Sequence, residues 1–360
     1  MIGRRKIQAH RLGYNNVALS LVGLLGMALL LPETWLRTGT LVWIAAIGAL
    51  GLNVLMGLAH QFSVGHAAFI AIGAYGTGFA MSSLQFPYPI AALVGVVSAG
   101  ALGAAFSPIA FKLRHLGLAL MTFGLIYAVQ HVLRNVEALG GALRPMRVPD
   151  IEILGWSLAE ELSLFGVIFS RNAQYFLFTG IVTVLAAVIT HQLINSRRGR
   201  VWSLMGRPET ELVAAHVGES VRGSKVTAFV FASALAGLSG ALIAPHARIL
   251  QYGDFDLTLS VEYIAMIVIG GTGTVAGSIY GALFVVGLRD VIRAVAPFVP
   301  FVAEEGSTTG LTIAQASTLV YGAMIMLLLI FYPGGIEGLV KALRRWLSPR
   351  LSHQSSDMPG

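Results

Sequence analysis

The most constraining feature of this chain is a succession of apolar segments, each long enough to cross a bilayer and almost free of charge. The hydrocarbon core of a membrane cannot hydrogen-bond a backbone, so a chain that crosses it must satisfy its own peptide groups, as an α-helix does. Hydrophobic residues make up 56% of the chain and charged residues 11%, whereas a soluble domain carries about 25% charged residues. We therefore predict an all-α integral membrane protein.

The apolar segments predict about ten transmembrane helices, some of them short or broken. The first segment follows a basic patch but lacks a small-x-small cleavage site, so it predicts an uncleaved span and not a signal peptide. Residues 258–293 fit either one kinked span or two short spans, and two spans agree with the alternation of charge. The predicted spans are 15–32, 38–59, 67–84, 88–111, 115–134, 173–195, 225–245, 258–271, 277–293 and 311–332.

Basic residues cluster in alternate gaps between these spans, and acidic residues cluster in the other gaps. Basic loops stay on the cytoplasmic side, so both termini and the arginine-rich connection 196–224 are predicted to be cytoplasmic, and the acidic connection 134–172 is predicted to be the main outer loop. The chain thus divides into a basic N-terminus (1–14), a transmembrane domain (15–335) and a basic tail (336–360). The net charge of +7 comes from basic residues in the alternate gaps between spans and not from one continuous basic patch. This distribution indicates a lipid bilayer as the partner and not a nucleic acid.

A polar hinge interrupts the apolar run at residues 51–80. Its members are Gln61, Ser63, Gly65 and His66. Polar residues within a membrane run line a cavity or a broken helix, so the hinge fits a turn beside a translocation path. An ordinary loop at the membrane face, with its polar side chains solvated, fits the sequence equally well. The glycines that follow, beginning with Gly73, predict close helix packing.

A second hinge lies at residues 270–274, which read Gly-Gly-Thr-Gly-Thr. It precedes Asp290 by about 20 residues and so mimics a dinucleotide-binding fingerprint. Too few residues separate the two for a crossover helix and a second strand. We interpret the segment as a small-residue hinge that continues into packing through Gly277 and Gly281.

No sequence motif indicates catalysis, a cofactor or a bound metal. Residues 218–225 resemble a phosphate loop, but the Ser precedes the Lys, so the chain is not predicted to hydrolyse ATP. The motifs H-E-x-x-H and G-x-S-x-G do not occur, and the chain has no cysteine. Glu262 follows the start of an apolar segment and is a candidate for a pathway, whereas Arg289 and Asp290 fit the solvated end of a span.

The arginine-rich connection contains a short segment with helical character. Pro208 suits the first turn of a helix, and Gly218 suits its end. Such a helix, with small residues on one face, can dock into a groove of a partner protein; a helix that rests on lipid headgroups is the alternative. The candidate docking residues are Glu209, Glu211, Ala214, Ala215 and Gly218.

Together these segments resemble the permease subunits of bacterial branched-chain amino-acid ABC importers, of the second, longer type. The family's Gly-Gln-x-Ser-x-Gly-His-Ala-Ala-Phe hinge and its Ile-Gly-Ala-Tyr stand here as HQFSVGHAAF (60–69) and IGAY (72–75). The family's Ser-x-Glu-Tyr and Gly-Gly-x-Gly-(Ser/Thr) are matched by residues 260–263 and 270–274. The segment that ends at Gly218 is similar to the family's ATPase-coupling segment.

The resemblance implies a non-catalytic subunit of an importer in the bacterial inner membrane, which moves branched-chain or related apolar amino acids inward. It implies a sister permease, two cytoplasmic ABC ATPases that hydrolyse ATP, and a periplasmic substrate-binding protein. The residues that it assigns to the translocation hinges are Gln61, Ser63, Gly65, His66, Gly73, Tyr75, Glu262, Gly270, Gly271 and Gly273.

Two departures from the family pattern leave the substrate open. His60 replaces the usual glycine, and residues 139–144 read LGGALR where the family has Thr-Gly-Gly and a further glycine. Relatives with a similar hinge import urea, amides or other amino acids, and these are alternative substrates. A stand-alone secondary transporter or channel is the alternative from another class.

Overall fold

A computed structural model of the chain describes residues 14–110, 115–141, 144–153, 155–164, 167–204, 220–295 and 334–347, with short stretches between 302 and 327. Within these residues, six helices are long and apolar enough to cross a membrane. Shorter apolar helices accompany them, among them His66–Ser82 with 17 residues and Leu257–Gly270 with 14. The prediction of an all-α membrane protein is confirmed, and the count of about ten crossings stays a prediction.

The helices begin and end close to the predicted spans. The first six are α1 (Tyr14–Leu30), α2 (Glu33–Leu52, continued by a π-helix over Asn53–Leu58), α3 (His66–Ser82), α4 (Tyr88–Ala110), α5 (His115–Asn135) and α6 (Arg171–Asn195). The others are α7 (Arg197–Trp202), α8 (Val221–Ala247), α9 (Leu257–Gly270), α10 (Val275–Val295) and α11 (Gly335–Leu347). Half of the predicted span 311–332 lies outside the described residues.

Residues 258–293 form two helices, which resolves the alternative that the sequence leaves open. The Asp256 carboxylate caps α9 by accepting a hydrogen bond from Leu259 N (3.0 Å). The helix ends at Gly271, whose φ of +122° is a conformation that glycine adopts at little cost. Thr274 Oγ1 accepts from Gly277 N (3.1 Å) and so caps α10 after a short turn.

The helices α2, α3 and α8 lie at the centre of the bundle, and glycines let two of them approach very closely. A Cβ atom added to Gly73 of α3 would lie 2.5 Å from Gly237 Cα of α8. One added to Gly240 of α8 would lie 2.7 Å from Ala74 N of α3. Both obstacles are backbone atoms, so α3 and α8 pack at a separation that side chains would prevent.

One end of the bundle, which we call the basic end, consists of the π-helix after α2, the start of α3, α7, the start of α8 and the α9–α10 turn. At the opposite end, the connection between α5 and α6 has little regular structure. It contains a 3₁₀ turn (Glu137–Leu139) and the strands β1 (Met146–Arg147), β2 (Glu152–Ile153), β3 (Trp156–Ser157), β4 (Leu162–Leu164) and β5 (Val167–Phe169).

Short strand pairs fold this connection onto the helices. β2 pairs with β3 and β4 with β5, both antiparallel. β1 pairs antiparallel with β6 (Ile249–Leu250), which directly follows α8, with Met146 opposite Leu250. A 3₁₀ turn (Tyr252–Asp254) follows β6. Farther along, β7 (Val302–Ala303) pairs in parallel with β8 (Leu311–Thr312).

Asp150 fastens the same connection to α6 and to the end of α8. Its carboxylate accepts hydrogen bonds from Arg171 Nη2 (2.8 Å), Arg248 Nη2 (2.6 Å) and the Tyr175 hydroxyl (3.1 Å). Burial alone would raise the pKa of Asp150, but the hydrogen bonds from Arg248 and Arg171 outweigh it and hold that pKa below its usual value. The ionised carboxylate is therefore the form that the fold stabilises.

Candidate functional site

The first hinge is packed into the basic end. Gln61, Ser63 and His66 are 6%, 1% and 2% exposed, so their side chains are buried and not solvated as in a simple surface loop. Gln61 Nε2 donates to Lys225 O (3.4 Å) at the start of α8, and the ring nitrogen Nε2 of His66 donates to Gly48 O (2.9 Å) in α2. The hinge therefore connects α2, α3 and α8.

Ser63 and Gly65 lie against α5. Ser63 Oγ has no hydrogen-bond partner among the described residues. The neighbouring Val64 N donates to Thr122 Oγ1 (3.0 Å). A Cβ atom on Gly65 would lie 2.9 Å from the carbonyl carbon of Thr122. Glycine at position 65 thus permits a close approach of the hinge to the backbone of α5.

His60 occupies a backbone conformation that explains why glycine is usual at this position. Its φ is +51°, in the left-handed region, and the residue is exposed. A residue with a Cβ atom adopts this region at a cost that glycine avoids. The large side chain is exposed, so the energetic cost of histidine in place of glycine lies in the left-handed backbone.

The second hinge lies at the same end. A Cβ atom on Gly270 would lie 2.8 Å from the carbonyl carbon of Gly277, and one on Gly281 would lie 2.6 Å from that of Met266. α9 and α10 are thus packed backbone against backbone, as predicted for Gly277 and Gly281. At Gly273 the φ of +79° again requires a left-handed backbone.

Asn53, which no sequence motif marked, joins the second hinge to α2. The residue is 3% exposed and begins the π-helix. Its Oδ1 accepts from Gly273 N (2.6 Å), and its Nδ2 donates to Thr274 O (2.8 Å) and Ser278 Oγ (2.8 Å). A lone amide within an apolar segment was the signal that could have found it, because buried polar groups in a span need partners.

The remaining hinge candidates are Tyr75 and Glu262. Tyr75 is buried in α3, where its ring makes an edge-to-face contact with Phe255, with centroids 5.9 Å apart. Glu262 lies in the first half of α9 and forms an ion pair with Arg289 of α10. Its neighbours contact the first hinge: Ser260 Oγ accepts from Ala67 N (2.9 Å), and the ring of Tyr263 lies 5.1 Å from that of His66. The structure therefore leaves Tyr75 apart from the two hinges but packs the part of α9 around Glu262 against the first hinge.

Asp290 extends the polar groups at the opposite end. Thr38 Oγ1 of α2 donates to its Oδ2, and Arg293 Nη1 donates to its Oδ1 (3.1 Å). These residues and Arg289 border a cavity of about 640 Å³ between α2 and α10. The prediction of solvated span ends holds only partly for Arg289 and Asp290, since both are engaged in polar contacts.

The docking candidates Glu209, Glu211, Ala214, Ala215 and Gly218 lie outside the described residues. The structure describes the segment that leads to them. α7 ends at Trp202, which is 1% exposed and packs against Val54, Ala59 and Ala228. Its indole Nε1 donates to Ser224 O (2.9 Å) in the first turn of α8.

Among the described residues, no cluster of three or more His, Asp or Glu side chains could hold a metal ion. The buried polar groups of the hinges are amides, hydroxyls and an imidazole, and they bond mainly to backbone atoms. This arrangement suits a polar joint between helices.

A bundle of membrane-length helices with buried polar joints at its helix breaks defines the class of multi-span membrane transport proteins. The chain belongs to the family described as branched-chain amino acid transport system permease component, whose model matches residues 35–329.

Two curated relatives carry the same name, high-affinity branched-chain amino acid transport system permease protein LivM. The protein from Escherichia coli K12 is 26% identical over 340 residues, which cover 88% of this chain and 74% of the relative. The protein from Salmonella typhimurium LT2 is 26% identical over 315 residues, which cover 82% and 68%. No solved structure matches the chain significantly.

Proposed function

We propose that this chain is the permease subunit through which an ABC importer moves branched-chain or related apolar amino acids into a bacterial cell. The observation that carries the proposal is the family match over residues 35–329. The two relatives are named as high-affinity branched-chain amino acid permeases, which favours these substrates over urea or amides. Gln61, Ser63 and His66 of the hinge at 60–69, which resembles the family's hinge, are buried at a junction of helices.

The chain lies in the inner membrane with its basic end toward the cytoplasm. Arg197, Arg198 and Arg200 of α7, together with Arg222 and Lys225 of α8, are concentrated at that end, and basic loops remain on the cytoplasmic side. Both termini are then cytoplasmic, as are the N-terminus 1–14 and the tail 336–360. The connection 134–172 faces the periplasm, where a substrate-binding protein reaches it.

The chain works with a sister permease and two cytoplasmic ATPases, and it hydrolyses no ATP itself. The segment from Glu209 to Gly218 docks on an ATPase, and closure of the ATPases moves it. Such movement drives transport only if it changes the relative free energy of two permease states. The two glycine-containing hinges, which lie at the same end as α7, are the joints at which these states differ.

A stand-alone secondary transporter is the alternative class. Secondary transporters place ionisable residues near the bilayer midplane as ion or proton relays. Each charge of the ion pair Glu262–Arg289 has its partner within the chain. A carboxylate held in an ion pair is a poor ion or proton relay, which favours a path that is driven by partner subunits.

The test is reconstitution in liposomes with ATP sealed inside. The complex of this chain with its sister permease, two ATPases and binding protein should take up radiolabelled leucine only when ATP is present. The permease alone should take up none under a proton or sodium gradient. Gradient-driven uptake by the isolated chain would overturn the proposal in favour of a secondary transporter.

A substitution locates the coupling segment. Gly218→Trp should leave membrane insertion intact and abolish uptake, because the added bulk blocks docking on the ATPase. Gly26→Trp in α1 is the matched control, since a Cβ atom there meets nothing within 4 Å. Normal uptake by Gly218→Trp would contradict the assignment of this segment.

A further inference from the structure

Both polar atoms of the Asn53 side chain form hydrogen bonds with a turn that lies more than two hundred residues away in the sequence. The carbonyl oxygen of its amide accepts from Gly273 N, and the amide nitrogen donates to Thr274 O and Ser278 Oγ, at distances of 2.6–2.8 Å. The group is 3% exposed. Any displacement of the α9–α10 turn relative to α2 must therefore break several buried hydrogen bonds together.

The chain around Asn53 is a π-helix, which has a wider turn than an α-helix and occurs often at functional sites. Ala59 N donates to Val54 O (2.9 Å), five residues earlier, and Gln61 N donates to Leu55 O (2.9 Å). Glycine at position 57 lets the α9–α10 turn sit against this segment, because a Cβ atom there would lie 2.5 Å from Gly273 N.

The other side of the same π-helix contacts α7. Val54 and Ala59 pack with Trp202 and Ala228 in one apolar cluster. Trp202 is 1% exposed, and its indole N–H bonds to Ser224 O at 2.9 Å. The indole is thus held on both its apolar and its polar side, so α7 cannot move without moving the π-helix or opening this cluster.

We propose that the π-helix Asn53–Leu58 transmits motion from the ATPase-side connection to the α9–α10 hinge, with Trp202 and Asn53 as the positioning residues at its two contacts. The inference rests on the proposed function. α7 immediately precedes the segment assigned to ATPase docking, so motion of that segment reaches Trp202 first. The π-helix passes it to Asn53, and Asn53 carries the turn at Gly271–Ser278 with it.

The ratio of substrate taken up to ATP hydrolysed tests the proposal in the reconstituted full complex. Asn53→Leu keeps the size of the side chain and removes its hydrogen bonds. We expect ATP hydrolysis to continue while uptake per ATP falls about tenfold, within the range of measured coupling between sites. Thr40→Val is the matched control, because Thr40 is also buried in α2 but bonds only to Leu36 O within its own helix.

An unchanged ratio in Asn53→Leu, with the control also unchanged, would overturn the proposal. If Asn53→Leu does not assemble, Ser278→Ala removes one of the three short contacts and should lower the ratio by a smaller factor; no change there would equally overturn it. Absence of ATP-dependent uptake in the unsubstituted complex would instead refute the proposed function, so the two failures are distinguishable.

Spin labels give a readout that a merely structural role would not affect. The chain contains no cysteine, so Ser203→Cys beside α7 and Thr272→Cys in the turn can be labelled selectively, and both positions are exposed. The distance between the labels should stay constant between nucleotide-free and ATP-trapped complexes, and Asn53→Leu should make it change. If the distance between the labels changes as much in the complex with Asn53 as in the Asn53→Leu complex, the two segments move independently, which would overturn the proposal.

Discussion

Replacing Gly73 by alanine tests how far the bundle depends on the contact between α3 and α8. The added Cβ atom would lie 2.5 Å from Gly237 Cα and 2.7 Å from its carbonyl carbon. Ordinary contact needs about 3.4–4.0 Å, so the helices must separate by roughly 1 Å. Overpacking of this kind typically costs about 1–3 kcal/mol, and the obstacle is backbone that cannot rotate away.

The measurement is the apparent unfolding temperature of the purified protein in detergent micelles. We expect Gly73→Ala to lower it by about 2–12 °C, if each kcal/mol corresponds to roughly 2–4 °C as in large domains. Gly124→Ala in α5 is the control, because a Cβ atom there meets nothing within 4 Å and alanine favours a helix by about 0.5–1 kcal/mol. Gly73→Ala as stable as the parent, or both variants destabilised alike, would refute the packing argument.

Three further substitutions follow from the same structure, each measured by unfolding in detergent. Asp150→Asn should cost about 1 kcal/mol, since the pair with Arg248 is partly solvated. Because the folded pKa of Asp150 is lowered, its advantage over the variant is complete above about pH 4 and is lost as pH falls through the folded pKa; a gap that widens toward low pH would contradict this. His60→Gly should gain up to about 1 kcal/mol by relieving the left-handed backbone, and a loss would show that the side chain stabilises the hinge. Glu262→Gln should cost about 1–2 kcal/mol, between surface and buried pairs, and adding Arg289→Gln should restore part of it; strictly additive losses would argue against the ion pair.

The boundaries of the helices could be predicted from the sequence because they depend on local signals. The length of each apolar segment fixes a span, and Gly271 marks the end of α9 in the sequence as it does in the structure. The same holds for the glycine contacts, since Gly277 and Gly281 stand at the spacing that brings two residues to one helix face. Position 60 was singled out for its missing glycine, and the structure supplies the reason.

The junction between the hinges could not be predicted, because no local pattern records it. Asn53 and its partners are separated by about 220 residues, and only the fold brings them together. The sequence grouped Glu262 with the hinges through its neighbours in the chain, and two of those neighbours, Ser260 and Tyr263, do contact the first hinge. The pairing of Glu262 with Arg289 of α10 is recorded by no local pattern. The paired strands of two or three residues in the connection between α5 and α6 are too short to show an alternating pattern.

Accessibility of single cysteines in intact cells tests the central claim, which is that the connection after α6 faces the cytoplasm and the connection after α5 faces outward. Each single substitution, Ser203→Cys or Ser163→Cys, places one exposed thiol at one of the two ends of the helix bundle. The chain contains no other cysteine. A thiol reagent that cannot cross the inner membrane should label Ser163→Cys in whole cells and should label Ser203→Cys only after the membrane is opened. Labelling of Ser203→Cys from outside would contradict the account, since no cytoplasmic ATPase could then reach α7.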